Sequence, residues 1–185
     1  MRLLRRSDAE TDTLFLHIFD TYHTRLFNYV YRMVGCRDSA EDVVQTIFLK
    51  VYQHLPRYRD EQKLTSWMFK IAHNTTYDYF RKTQAQHQVF QDVENIDLFP
   101  APGGGSGFVS PEDSLVTQEM QEHLDKILIN LPQKLKEVFL LRHEAGLSFK
   151  EMSKILHCPI NRLLGRMHLA VKTIREDMQP FMNGD

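Results

Sequence analysis

Lys70, His73, Asn74, Tyr77 and Arg81 recur at three- and four-residue steps within "TSWMFKIAHNTTYDYFRK", residues 65–82, with Lys82 adjoining. On a helix that spacing gathers them on one face. The mixture suits unpaired nucleic-acid bases, because aromatic rings stack on bases, an amide hydrogen-bonds their edges and cations meet phosphates. It suits equally a solvated surface that carries one tyrosine. Leu64, Trp67, Met68, Ile71, Ala72 and Thr75 fall on another face, which is expected to be core.

Nothing else in the chain has the spacing of bond chemistry. The nine histidines are scattered, and no nucleophile elbow or Gly-rich phosphate loop follows a strand. "GGGSG", residues 103–107, resembles a flexible spacer and has no neighbouring lysine to hold a phosphate. Cys36 and Cys158 match no paired metal-ligand spacing and are expected to be reduced, buried or half-buried thiols. Glu41 and Asp42 are better placed as helix-start and solvent-facing acids than as a catalytic pair. No enzyme, catalytic residue, metal or cofactor is therefore expected.

The elements that must hold the polar face are helical. Leu14, Phe15, Ile18, Phe19, Tyr22, Leu26, Tyr29, Val30 and Met33 trace an amphipathic helix that Gly35 ends. "RDSAEDVVQTIFLKVYQHLP" begins a second helix, with Asp38 as N-cap, Glu41 as its capping partner and Pro56 beyond its end. A third spans 65–82. After "NIDLFPAPGGGSGFVSPEDS", which reads as a linker, come a helix over 117–130, then "LPQKLKEVFLLRHEAG", then "LSFKEMSKILHCP" and a last helix. Pro132 suits a first turn and Gly146 a helix end, while Ser148 and Glu151 make a capping box. The break at His157, Cys158 and Pro159 completes a helix-turn-helix pattern. Ile160, Leu163, Met167, Val171 and Ile174 are its expected inner face.

The fold class expected is all-α: two small helical domains, 1–90 and 117–180, joined by a flexible linker over 91–116, the second domain a helix-turn-helix. The 185 residues and 42 % hydrophobic content suit that size, and no apolar run is long enough to cross a bilayer. No secretory signal opens the chain, so a cytoplasmic protein without membrane insertion is expected. A net charge of −1 argues weakly against nucleic acid, but the distribution does not. Residues 91–119 hold six acids and no Lys or Arg, whereas 157–175 hold four Lys or Arg and no acid.

Residues 39–82 and 131–176, in this order and spacing, resemble regions 2 and 4 of the extracytoplasmic-function group of sigma-70 family sigma factors. The resemblance implies a transcription initiation factor that binds core RNA polymerase, directs it to particular promoters and assists DNA opening. On the helix from Asp38 it implies that Asp42, Gln45 and Phe48 dock on the polymerase clamp, with Thr46 standing where an acid is common. The helix over 67–82 is similar to the part that opens and reads the minus-10 element, which assigns it Trp67, Lys70, His73, Asn74, Tyr77, Arg81 and Lys82. The segment 57–66 would form a pocket for a flipped base. The last helix would lie in the major groove of the minus-35 element through Asn161, Arg162, Arg166, Lys172 and Arg175.

That last helix departs from the family pattern. Arg162 stands for Thr, Leu164 for Lys, Gly165 for Ser, and Leu169, Val171 and Thr173 for Arg, so fewer phosphate anchors are expected. The acidic linker suits either a solvated tether or, as in the family, a segment that stands in for RNA in the polymerase channels. Promoter DNA and core RNA polymerase are the expected partners, with an anti-sigma factor as a further candidate. Two other readings remain open: a helix-turn-helix regulator acting without polymerase, and a sigma-like protein whose region 4 meets a protein partner through Leu164 and Leu169.

Overall fold

Ile18, Tyr22, Leu26, Tyr29, Val30 and Met33 form one buried stripe along α1, Asp8–Val34, in a computed structural model whose described residues are 8–59, 63–90 and 115–183. Gly35 ends the helix as its sequence position suggests. Its φ of 79° lies in the left-handed region, and its amide donates to the Tyr31 carbonyl at 2.7 Å. Helix α2, Arg37–His54, folds back on α1 and buries Ala40, Val43, Val44, Ile47, Phe48 and Val51. Its cap differs from the expectation. Cys36, extended and without a side-chain cap bond, occupies the N-cap, and Asp38 lies in the first turn, where the helix dipole still favours an acid. Glu41 accepts from Arg37 Nε at 3.0 Å, an i,i+4 pair that takes the carboxylate away from the backbone.

A 3-10 turn, Leu55–Arg57, closes α2 at Pro56. Helix α3, Leu64–Phe90, packs against both α1 and α2 and runs beyond Lys82, where no glycine or proline stops it. Because it meets two helices, its buried arc is wider than a single stripe. Met68, Phe69, Ala72, Thr75 and Thr76 are buried, whereas Leu64, Trp67 and Ile71 are only half-buried.

The second group comprises α4 Leu115–Asn130, α5 Gln133–His143, α6 Phe149–Leu156 and α7 Ile160–Asn183. Helix α4 begins two residues inside the expected linker, and the flexible linker expected over 91–116 otherwise lies outside the described residues. Pro132 caps α5, and Gly146 follows it with a φ of 65° and an amide bonded to the Arg142 carbonyl at 3.1 Å. The capping box is present: Ser148 Oγ accepts from the Glu151 amide, and the Glu151 carboxylate accepts from the Ser148 amide at 2.9 Å. His157, with a φ of 47°, turns the chain between α6 and α7 to make the helix-turn-helix.

Helix α7 packs through Leu163, Met167, Ala170 and Ile174. Ile160 and Val171, expected on that inner face, are 41 % and 39 % exposed because the 163–167–170–174 stripe leaves both beyond its edge. Among the described residues the architecture is all-α, in two helical groups, and no helix is long and apolar enough to cross a membrane. The groups touch: α1 meets α4 and α5, and α3 meets α6.

Candidate nucleic-acid interface

Helix α3 is fixed from beneath by apolar packing and, at Thr65 and Tyr79, by hydroxyl hydrogen bonds. Phe69 meets Tyr29 edge-on at 5.6 Å between ring centroids. Tyr22 Oη and Thr65 Oγ1 share a hydrogen bond of 2.7 Å, and Tyr79 Oη donates to Ser39 Oγ at 2.9 Å. So held, the helix exposes Lys70, Asn74, Arg81 and Lys82. Trp67 is half-buried and stacks on Tyr58 at 4.4 Å, forming an aromatic shelf at the start of the helix. Residues 60–62 of the expected base pocket lie outside the described residues.

Arg81 is not a bare cation. It pairs with Asp78, which also accepts from Lys50 Nζ at 3.4 Å, while Lys50 donates to Thr75 Oγ1 at 3.0 Å. Desolvation pulls the Asp78 carboxyl upward, but hydrogen bonds from Arg81 and Lys50 outweigh it and lower its pKa.

His73 and Tyr77 lie on the same side of α3 but are covered by the second helical group. His73 Nδ1 stands 2.9 Å from Glu137 Oε1 of α5, and the His73 and Tyr77 rings are 4.6 Å apart. Burial raises the Tyr77 pKa well above that of a free phenol, and the Glu137 charge and its hydrogen bond with Tyr77 raise it further. A cavity of about 250 Å³ between α3 and the helix-turn-helix is lined by His73, Tyr77, Lys134, Glu137, Arg162 and Arg166. The seven residues assigned to the minus-10 element are therefore divided into four exposed residues, a covered pair and the half-buried Trp67.

The α7 residues divide similarly. Asn161, Lys172 and Arg175 are exposed on its outer side, with Lys172 Nζ 3.8 Å from Glu176, while Arg162 and Arg166 border the cavity against α3. Leu164 and Leu169 are 45 % and 51 % exposed, and a side chain added at Gly165 would meet no atom within 4 Å.

On α2, Asp42 and Gln45 are exposed, but Phe48 is only 5 % exposed beneath Phe19 and His23. Phe48 forms the floor of a groove of about 900 Å³ between α1 and α2, walled by Phe15, Phe19, Phe27, Gln45 and Tyr52. Exposed Leu49 lies at its rim. Sequence periodicity treats Phe15 and Phe19 as ordinary core and so misses this groove. It misses Glu137 too, whose one signal is a charged pair, Lys136 and Glu137, inside the otherwise apolar "LKEVFLL". Tyr58 carries no signal beyond its proximity to Trp67. Among the described residues no cluster of His, Cys, Asp or Glu could hold a metal ion, and both cysteines are free.

Comparison with known proteins matches residues 18–86 to Sigma-70 region 2 and residues 121–174 to Sigma-70, region 4. The ECF RNA polymerase sigma factor SigW of Bacillus subtilis is 27 % identical, with 89 % of each chain covered. The ECF RNA polymerase sigma-E factor of Haemophilus influenzae is 28 % identical over 97 % of this chain and 95 % of its own. Among solved structures, the sigma factor RpoE of Bartonella quintana, in complex with the anti-sigma factor NepR, is similar with a TM-score of 0.67 and 22 % identity. That alignment covers 89 % of this chain and 96 % of RpoE. CnrH, solved with the cytosolic domain of CnrY, gives a TM-score of 0.59 at 17 % identity, covering 89 % and 87 %.

Proposed function

The chain belongs to the sigma-70 family, carrying its regions 2 and 4 and the role of an extracytoplasmic-function sigma factor in transcription initiation, and from that premise we propose which surfaces do the work. As a sigma factor it is not an enzyme. Its task is to bind RNA polymerase and select promoters.

Core polymerase docks on α2 through Asp42 and Gln45, with Phe48 reached from the groove floor. A groove walled by aromatic rings and rimmed by polar side chains suits an amphipathic helical partner. The minus-10 element is opened and read by α3. Asn74 hydrogen-bonds a base edge, Trp67 with Tyr58 supports stacking, and Lys70, Arg81 and Lys82 meet the backbone, with His73 and Tyr77 joining once uncovered. The minus-35 duplex takes α7 in its major groove, through Asn161, Arg162, Arg166, Lys172 and Arg175. Region 2 occupies 1–90, region 4 occupies 117–180 and the segment between tethers them. The protein works in the cytoplasm, and an anti-sigma factor is its proposed regulator, by likeness to RpoE, which was solved with one.

The observation that carries this reading is the presence of both regions, in order, with Asp42, Gln45 and Asn74 exposed on region 2. Reconstituted holoenzyme carrying Asn74→Ala tests it. Polymerase binding is expected to persist while transcription from minus-10-dependent promoters falls, and loss of polymerase binding instead would refute the assignment of α3. The exposure of Leu164 and Leu169 favours a second reading, in which region 4 meets a protein rather than duplex DNA. Footprinting of the holoenzyme separates the two, since protection near minus-10 without protection near minus-35 supports the protein partner.

A further inference from the structure

Leu164, Gly165 and Leu169 stand on the open side of α7, and none of them contributes to its core. The leucines are 45 % and 51 % exposed, so they gain little from burial. A glycine inside a helix weakens it, and a side chain built at Gly165 would meet no atom within 4 Å. Leu163 and Ala170, fully buried, mark the opposite side.

At 3.6 residues per turn, Leu164 and Leu169 project about 140° apart around the helix axis, and Gly165 lies between them. Asn161, His168 and Lys172, all exposed, fall in the same sector. A shallow notch therefore lies over the bare backbone of Gly165, with one leucine on each flank and Asn161 one turn toward the helix start. Ile160 and Val171 extend the Leu164 flank toward the core, whereas Leu169 stands apart from the other exposed apolar side chains of α7. A protein partner would be met by apolar anchors three and four positions apart, and the two leucines, five apart across a polar sector, do not make such a line.

Duplex DNA fits this surface better. Residues 157–175 carry four Lys or Arg and no acid, which suits a phosphate-lined groove. On the base edges of the major groove, donors and acceptors of hydrogen bonds are joined by one apolar group, the C5 methyl of thymine. A notch flanked by leucines has no other complement there. Asn161, in the first turn, carries the paired donor and acceptor that meet an adenine edge.

We propose that the notch at Gly165 reads thymine: the C5 methyl group enters between Leu164 and Leu169, and Asn161 hydrogen-bonds an adenine edge beside it. The proposal rests on the assignment of α7 to the minus-35 major groove and adds which base the helix selects there. Selectivity at this position is then carried by shape and apolar contact, where the family pattern places polar or basic side chains.

Holoenzyme reconstituted with the full-length protein first selects duplexes from a randomised pool, and footprinting locates the protected minus-35 element. Each thymine of that element is then replaced singly by uracil, which keeps the base pair and lacks only the methyl group. At one thymine the replacement is expected to weaken binding about fourfold, the contribution of one buried methyl group. The double variant Leu164→Ala with Leu169→Ala, checked for folding by circular dichroism, should bind the thymine and uracil duplexes equally. Leu164→Met with Leu169→Met, which restores apolar flanks, should recover the discrimination. A protected element with no uracil-sensitive thymine overturns the proposal and leaves the minus-35 assignment standing. Uracil sensitivity undiminished in the double alanine variant overturns it too, because the methyl group is then read by other residues. Absence of any minus-35 protection removes the assignment itself, and the proposal with it, and leaves the leucines to a protein partner.

Discussion

Arg32 of α1 and Glu144, one residue past the end of α5, form an ion pair in which the side chains are only 5 % and 8 % exposed. Breaking such a pair leaves a charge stranded away from water. Arg32→Met is therefore expected to cost about 3–5 kcal/mol. Arg32→Met with Glu144→Gln should recover part of that loss, because one of the two carboxylates that Arg32 meets, Glu144 and Asp125, is no longer stranded. Urea denaturation checks both, and equal losses in the single and double variants would show that the stranded charge is not the cause.

Lys136 of α5 is buried, donates to the Ile129 carbonyl near the end of α4 at 2.6 Å, and has its pKa pushed by burial down to about 8. Its folded pKa lies below its unfolded value, so between about pH 8 and pH 10.4 the unfolded chain binds the extra proton. Stability contributed by this group therefore rises with pH across that window, and below it the burial cost of the charge is fully present. Lys136→Met should remove the rise. The quantity to follow is the difference in unfolding free energy between parent and variant from pH 7.5 to pH 10.5. A difference flat with pH would contradict the assignment.

Ser148→Ala should destabilise α6 by about 1 kcal/mol at neutral pH through loss of the N-cap bond. Hydrogen bonds from the Ser148 hydroxyl and amide lower the Glu151 pKa, so the stability contributed by this carboxylate is present above about pH 4 and is lost as pH falls through the folded pKa. Thermal unfolding of parent and variant should then show a gap that narrows in acid. A gap that widens in acid would reverse the sign of this linkage.

Gly165→Ala should stabilise α7 by about 1 kcal/mol, since a helical glycine costs that much and an added methyl group meets nothing within 4 Å. Duplex binding is the second measurement. Greater thermal stability with weaker binding to minus-35 DNA is the expected signature of close backbone approach to the duplex. Destabilisation would mean that the glycine relieves a contact within the protein.

Periodicity made the helices legible because amphipathic stripes and caps are local: Gly35, Pro132, Gly146 and the Ser148–Glu151 pair each act within a turn of their own position. Asp38 misled because Arg37, its neighbour, draws Glu41 into an ion pair and leaves the cap to Cys36. Ile160 and Val171 misled because a helix packed on more than one neighbour buries an arc whose edges sequence spacing does not mark. On the candidate site, the side of α3 bearing Asn74 and Tyr77 could be found from spacing alone. Its partial occlusion could not, because His73 and Glu137 are 64 positions apart and nothing local links them.

The aromatic groove between α1 and α2 faces a side of α2 that region 4 leaves uncovered, so a partner can reach it without any change in how the two helical groups pack against each other.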